Sequence, residues 1–145
     1  MRVLIDTNVV LDLILNRAPF DDDADAVFRL AKGPVREFVS ASAVTDVYYL
    51  ARKVLKDSSK ALELLKHFLR VVQVVGVSKH DIFAALYSGW PDFEDAVQNA
   101  VAEFHDFDAI VTRNPSDFAH SSLPVYSPAD FLNQLNFQPP EPSHD

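Results

Sequence analysis

Residues 3–14, VLIDTNVVLDLI, decide the fold. Val3, Leu4 and Ile5 form a short apolar run that stops at Asp6-Thr7-Asn8, a polar cluster suited to a turn or a helix cap. A helical pattern follows through Val9, Val10, Leu13 and Ile14. An apolar strand passing through a polar turn into a helix is the unit from which α/β folds are built.

The unit recurs along the chain. Beyond Pro19, the acidic run from Asp21 to Asp25 reads as a solvated start to a helix that turns Ala26, Val27, Leu30 and Ala31 inward and ends at Gly33-Pro34. Residues 37–41 read as a second strand, and Ser42 as a cap for a helix carrying Val47, Leu50, Val54 and Leu55. Ser58 or Ser59 opens another helix, carrying Leu62, Leu65, Phe68 and Leu69. The β-branched stretch 71–75 is a third strand, followed by a helix from about residue 79 to 87. In WPDFEDAVQNA, residues 90–100, Pro91 disfavours helix before it, and Asp92 is a preferred N-cap. Phe93, Val97, Ala100 and Phe104 recur at helical spacing as a buried stripe, with Asp95 opposite it. Residues 109–112 form a fourth strand, 113–116 a turn, and 123–126 a short edge strand that tolerates Pro124. Ser127-Pro128 begins a last helix. The expected architecture is a three-layer α/β/α sandwich around a central, mainly parallel sheet of four to five strands. One domain spans residues 1–137, and residues 138–145, QPPEPSHD, read as a disordered tail.

Composition narrows the function. A net charge of −8 argues against a broad basic face for nucleic acid, but not against an enzyme that meets phosphates through bound cations. Cys is absent, so disulfides and thiolate metal sites are excluded. The amino terminus is interrupted by Asp6 and Asp12, resembling neither a signal peptide nor a membrane span, and a cytoplasmic protein is expected.

The acids fall in a pattern. Asp6 directly follows strand one, Asp46 lies early in the helix after strand two, Asp95 opens a later helix, and Asp117 follows strand four. Ligands of open α/β sheets bind outside the carboxyl ends of the strands. Carboxylates gathered there, without Cys or paired His, suit the hard cations Mg²⁺ and Mn²⁺ and phosphodiester hydrolysis. Each acid also has an ordinary reading as a cap, turn or surface residue. Glu94 reads as solvated, and the five scattered His make zinc an unlikely choice. Arg113, beside the expected cleft, is either a contact for a substrate phosphate or an exposed turn residue. Tyr48, Tyr49 and the Phe residues at helical spacing read as core rather than base-stacking platforms.

IDTNVVLDL, SAVTDVYYLA, DFEDAVQNA and DAIVTRNPSDF resemble the successive motifs of PIN domains, over residues 3–132. The DFED form resembles one branch of that family. PIN domains are metal-dependent nucleases, and small single-domain bacterial members are often VapC-type toxins. The resemblance implies a ribonuclease that uses Mg²⁺ or Mn²⁺, with metal-site acids Asp6, Asp46, Asp95 and Asp117. It makes Thr7, Asn8, Thr112 and Asn114 supporting polar groups, and leaves Asp92 as a supporting acid or simply the N-cap. It further implies an RNA substrate, a small antitoxin partner and a homodimer. The family usually has Glu where this chain has Asp46, whose shorter side chain bears on its reach to a metal. Two other classes compete. One is a noncatalytic PIN-like module acting through protein contacts. The other is a receiver-type signalling domain, against which stand the single Asp6 after strand one, Val75-Gly76-Val77 after strand three, and the absence of Lys near Val125.

Overall fold

The computed structural model describes residues 1–136. The chain runs β1 (Arg2–Ile5), α1 (Thr7–Ile14), α2 (Asp21–Arg29), β2 (Arg36–Ser40), α3 (Ala41–Leu55), α4 (Ser58–Phe68) and β3 (Gln73–Val75). It continues through α5 (Lys79–Leu86), α6 (Phe93–Phe104), β4 (Ala109–Val111), β5 (Val125–Tyr126) and α7 (Pro128–Asn136), with short 3₁₀ turns at Leu30–Lys32 and Pro115–Phe118. The expected disordered tail, 138–145, lies outside the described residues.

All five strands are parallel, in the order β3-β2-β1-β4-β5. Val3, Leu4 and Ile5 of the central strand are wholly buried, as a strand covered on both faces requires. Alternation sends Val3, Ile5, Val39 and Val111 to a core shared with α1, α2, α3, α4 and α7. Leu4, Phe38 and Ile110 face the other way, toward α6, which α5 covers from outside. The result is the expected α/β/α sandwich, its sheet wholly parallel. No helix among the described residues is long and apolar enough to cross a membrane.

Several local expectations are corrected by packing. Ser40, not Ser42, caps α3: its hydroxyl accepts from the Ala43 amide at 3.2 Å, so the last residue of β2 is also the cap. In α2, Phe28 points inward beside Ala24 and Val27, while Ala26, Leu30 and Ala31 are half-buried. The third strand contracts to Gln73–Val75 at the sheet edge, where Val71 and Val74 stay about half-exposed. The stripe on α6 is also misjudged at its ends. Phe93 and Phe104 are 48% and 54% exposed, whereas every residue from Ala96 to Ala102 is buried. Wedged between α5 and the sheet, α6 buries small side chains all round, and its terminal Phe rings project beyond the packing. Tyr49 is likewise not core, being 56% exposed.

Candidate functional site

The strand order reverses between β1 and β4. The crevice outside their carboxyl ends is the topological switch point, where a sheet of this kind offers a ligand site. Asp6 stands in it because β1 ends there and α1 begins: it is the N-cap of α1, in extended conformation. The Asp6 carboxylate is only 6% exposed and fully engaged. Oδ1 accepts from the Thr7 amide at 2.7 Å and from Gln98 Nε2 at 2.6 Å, and Oδ2 accepts from Thr112 Oγ1 at 2.7 Å. Thr112 leaves the end of β4, and Gln98 comes from α6, so three elements hold one carboxylate. Three donors from three elements fix the orientation of this buried carboxylate.

Around it stand further acids. Asp92 is the N-cap of α6, its Oδ1 accepting from the Asp95 amide at 2.9 Å. That turn brings Asp95 to the crevice, where burial and the charges of Asp92, Asp6, Asp117 and Glu94 raise its carboxyl to about 7. Asp117, in the 3₁₀ turn after β4, is exposed and its amide donates to the Asn114 carbonyl at 3.0 Å. Asp46 belongs to a second group. It shares a cleft of about 280 Å³ with Thr7, Tyr49, Leu50 and Glu94, and burial raises its carboxyl. Its charge is the main reason that the Glu94 carboxyl is also raised, ahead of burial, Asp92 and Asp6. Glu94 therefore bridges the two groups and is not merely solvated.

The supporting residues divide. Thr7 contributes its backbone amide, and Thr112 its hydroxyl, directly to Asp6. Asn8 Oδ1 accepts from the Arg113 amide at 3.2 Å, and the Asn114 amide donates to Thr112 Oγ1 at 3.2 Å; both brace the loop after β4. Arg113 is turned elsewhere. Its guanidinium lies 4.1 Å over the Phe20 ring, with Nε 3.2 Å from buried Asp12, which also receives Arg17 Nε at 2.9 Å. Sequence reasoning missed Gln98, Glu94 and this role of Asp12. Gln98 was accessible in principle, lying three residues after Asp95 and hence on the same side of a helix.

The donor set suits a hard cation. None of Asp6, Asp46, Asp92, Glu94, Asp95 or Asp117 is ion-paired to a basic side chain among the described residues. Like charges left together in this way raise each other's pKa, the condition a divalent cation relieves. Also among the described residues, no three His, Asp or Glu side chains converge tightly enough to form a closed protein cage. Mg²⁺ does not need one, since it keeps several waters and commonly takes one or two carboxylates.

A parallel α/β sandwich with an acidic crevice at its switch point defines an α/β domain with a ligand site outside the carboxyl ends of β1 and β4. The chain belongs to the PIN domain family, whose model matches residues 2–116. No curated protein sequence matches it. Solved structures share the fold at low identity. A DNA-bound VapBC from Salmonella typhimurium has a TM-score of 0.69 at 17% identity, covering 88% of this chain and 98% of that one. VapBC2 from Rickettsia felis, bound to a promoter DNA fragment, gives 0.67 at 17%, covering 86% and 97%. VapC20 from Mycobacterium tuberculosis, a sarcin-ricin loop cleaving toxin, gives 0.60 at 19%, covering 74% and 86%.

Proposed function

We propose that this chain is a metal-dependent endoribonuclease of the cytoplasm and the toxin of a toxin–antitoxin pair, working as a homodimer. The observation that carries the reading is Asp6, buried at the switch point with both oxygens directed by Thr7, Gln98 and Thr112 and faced by the raised carboxyl of Asp95. Membership of the PIN family and the likeness to toxin folds support the class of reaction and the partner. Asp6, Asp95 and Asp117 are the residues that would hold Mg²⁺ or Mn²⁺, with Asp46 and Glu94 alongside. A divalent cation here supplies Lewis-acid activation of water and neutralises charge on the phosphate under attack.

The chain's own residues do the rest. Gln98 and Thr112 keep the Asp6 carboxylate aimed, so that it does not reorganise during the reaction. The Asp95 carboxyl, raised to about 7 by burial and its acidic neighbours without a cation, would have to release its proton to hold one, so cation affinity would rise with pH through this range. Asn8 and Asn114 hold the β4 loop, and with it Thr112, in register. Arg113 serves the Asp12 brace, which leaves phosphate contacts to other cations.

The test is cleavage of RNA by the purified protein in Mn²⁺ and in EDTA, beside Asp6→Asn and Asp95→Asn. Activity requires the cation and drops by two or more orders of magnitude in either variant, on the scale of lost preorganised charge. Equal activity in the variants, or in EDTA, removes the metal-nuclease reading and leaves a noncatalytic module.

A further inference from the structure

The acidic crevice raises a physical difficulty: RNA is a polyanion, and the protein carries a net charge of −8. Something nearby must attract the backbone. Helix α3 leads from the crevice to a place where this is offered. Asp46, Tyr49 and Lys53 are spaced three and seven residues along it, so they share one helical face, and Lys56 follows as the C-cap. At about 1.5 Å per residue, Lys53 lies about 10 Å along the helix from Asp46. At its far end is a cleft of about 440 Å³ lined by Tyr49, Arg52, Lys53, Lys56, Asp57 and Ser58. Arg52, Lys53 and Lys56 are exposed, and none is ion-paired among the described residues, although ion pairs occupy Arg17, Arg29, Lys66 and Arg113. The one acid in the cleft, Asp57, is committed to capping α4, its Oδ1 accepting from the Lys60 amide at 3.1 Å.

Tyr49 makes the cleft part of a path. Its exposed side chain borders this cationic cleft and also the cleft containing Thr7, Asp46 and Glu94. An exposed aromatic side chain between a cationic groove and a reactive centre is the combination that binds single strands: cations follow the phosphates and the ring stacks on a base.

We propose that the Arg52, Lys53 and Lys56 cleft is a subsite for backbone phosphates of single-stranded RNA, with Tyr49 as the stacking platform between it and the acidic centre. This rests on the nuclease reading for its substrate class, yet it can be tested apart from cleavage. Binding of a labelled single-stranded RNA of about twelve nucleotides is measured by fluorescence anisotropy in EDTA at several salt concentrations. Cleavage of the same RNA is measured in Mn²⁺.

The combined variant Arg52→Gln, Lys53→Gln and Lys56→Gln removes the charges while keeping unbranched polar side chains of similar helix propensity. It binds roughly tenfold more weakly at low salt, and its salt slope falls by about 2, near 0.7 for each lost phosphate contact. Its KM rises while kcat is kept. Tyr49→Ala also weakens binding roughly tenfold, but leaves the salt slope unchanged because stacking releases no counterions. Unchanged binding in the combined variant overturns the subsite, as does a lack of RNA binding by the unsubstituted protein. Retained RNA binding with loss of self-association in sedimentation also overturns it and makes the patch a protein contact. Binding through these residues without any cleavage leaves the subsite standing and refutes the nuclease reading, whereas cleavage with the variant binding normally does the reverse.

Discussion

Glu37 weakens this fold, because its carboxyl is buried without a hydrogen-bond partner among the described residues. It lies on β2 opposite Val3, is 2% exposed, and neither carboxylate oxygen has a hydrogen-bond partner among the described residues. Arg2, on the neighbouring strand, gives no relief: it lies over Phe38 and Phe107, which pack on the opposite face of the sheet. Burial raises the Glu37 carboxyl from its ordinary 4.5 to about 8. The folded protein therefore keeps Glu37 protonated at neutral pH, while the unfolded chain ionises it. The unfolded state binds fewer protons over this range, so stability falls as pH rises from about 4.5 and levels off above about 8. At about 1.36 kcal/mol per pH unit, the loss reaches at most about 3 kcal/mol by pH 7.

Glu37→Gln removes the titration while keeping size and polarity. Urea unfolding of both chains, followed by circular dichroism from pH 4.5 to 8, isolates the effect. Other groups, including Asp95, contribute to both chains and cancel in the difference. The variant matches the original chain near pH 4.5 and becomes more stable by up to about 3 kcal/mol at pH 7, equivalent to roughly 10 °C in Tm. A difference that stays constant with pH, or a variant less stable at pH 7, would refute an unpaired, neutral Glu37.

Other consequences follow from the same contacts. Thr112→Val removes one charged hydrogen bond to Asp6, worth about 1.5–3 kcal/mol, and lowers kcat roughly 10- to 100-fold with little change in KM. Asp95→Asn takes one carboxylate out of a crowded group; without cation its Tm rises, and the Tm increase on adding Mn²⁺ shrinks, as read by scanning fluorimetry. Asp12→Ala leaves Arg17 and Arg113 without their buried counterion and costs about 2 kcal/mol in denaturant unfolding, reduced from the fully buried case because both Arg are part-exposed. Arg113→Lys keeps the charge but loses the planar stacking on Phe20, so it lowers stability while RNA affinity in EDTA stays the same.

The sequence alone determined the class of fold and the addresses of most acids near the crevice. These depend on short-range patterns: apolar runs ending near Asp6 and Thr112, helical periodicity after them, and Asp92 at a helix start. What it could not supply is any relation carried by distant residues. Gln98 and Thr112 reach Asp6 across 92 and 106 positions, and only the order of β1 beside β4 makes them neighbours. Asp46 was placed by its helix but not by its partner, which is Glu94 from across the cleft. Periodicity named one face of α6, yet a helix wedged between α5 and the sheet buries nearly all of its middle and exposes both terminal Phe. Glu37 reads as an unremarkable residue in a strand until both faces of the sheet are covered. Local free energies are set by neighbours in the chain, so they are written in the sequence. Desolvation and the crowding of like charges depend on which surfaces meet, and only the tertiary structure decides that.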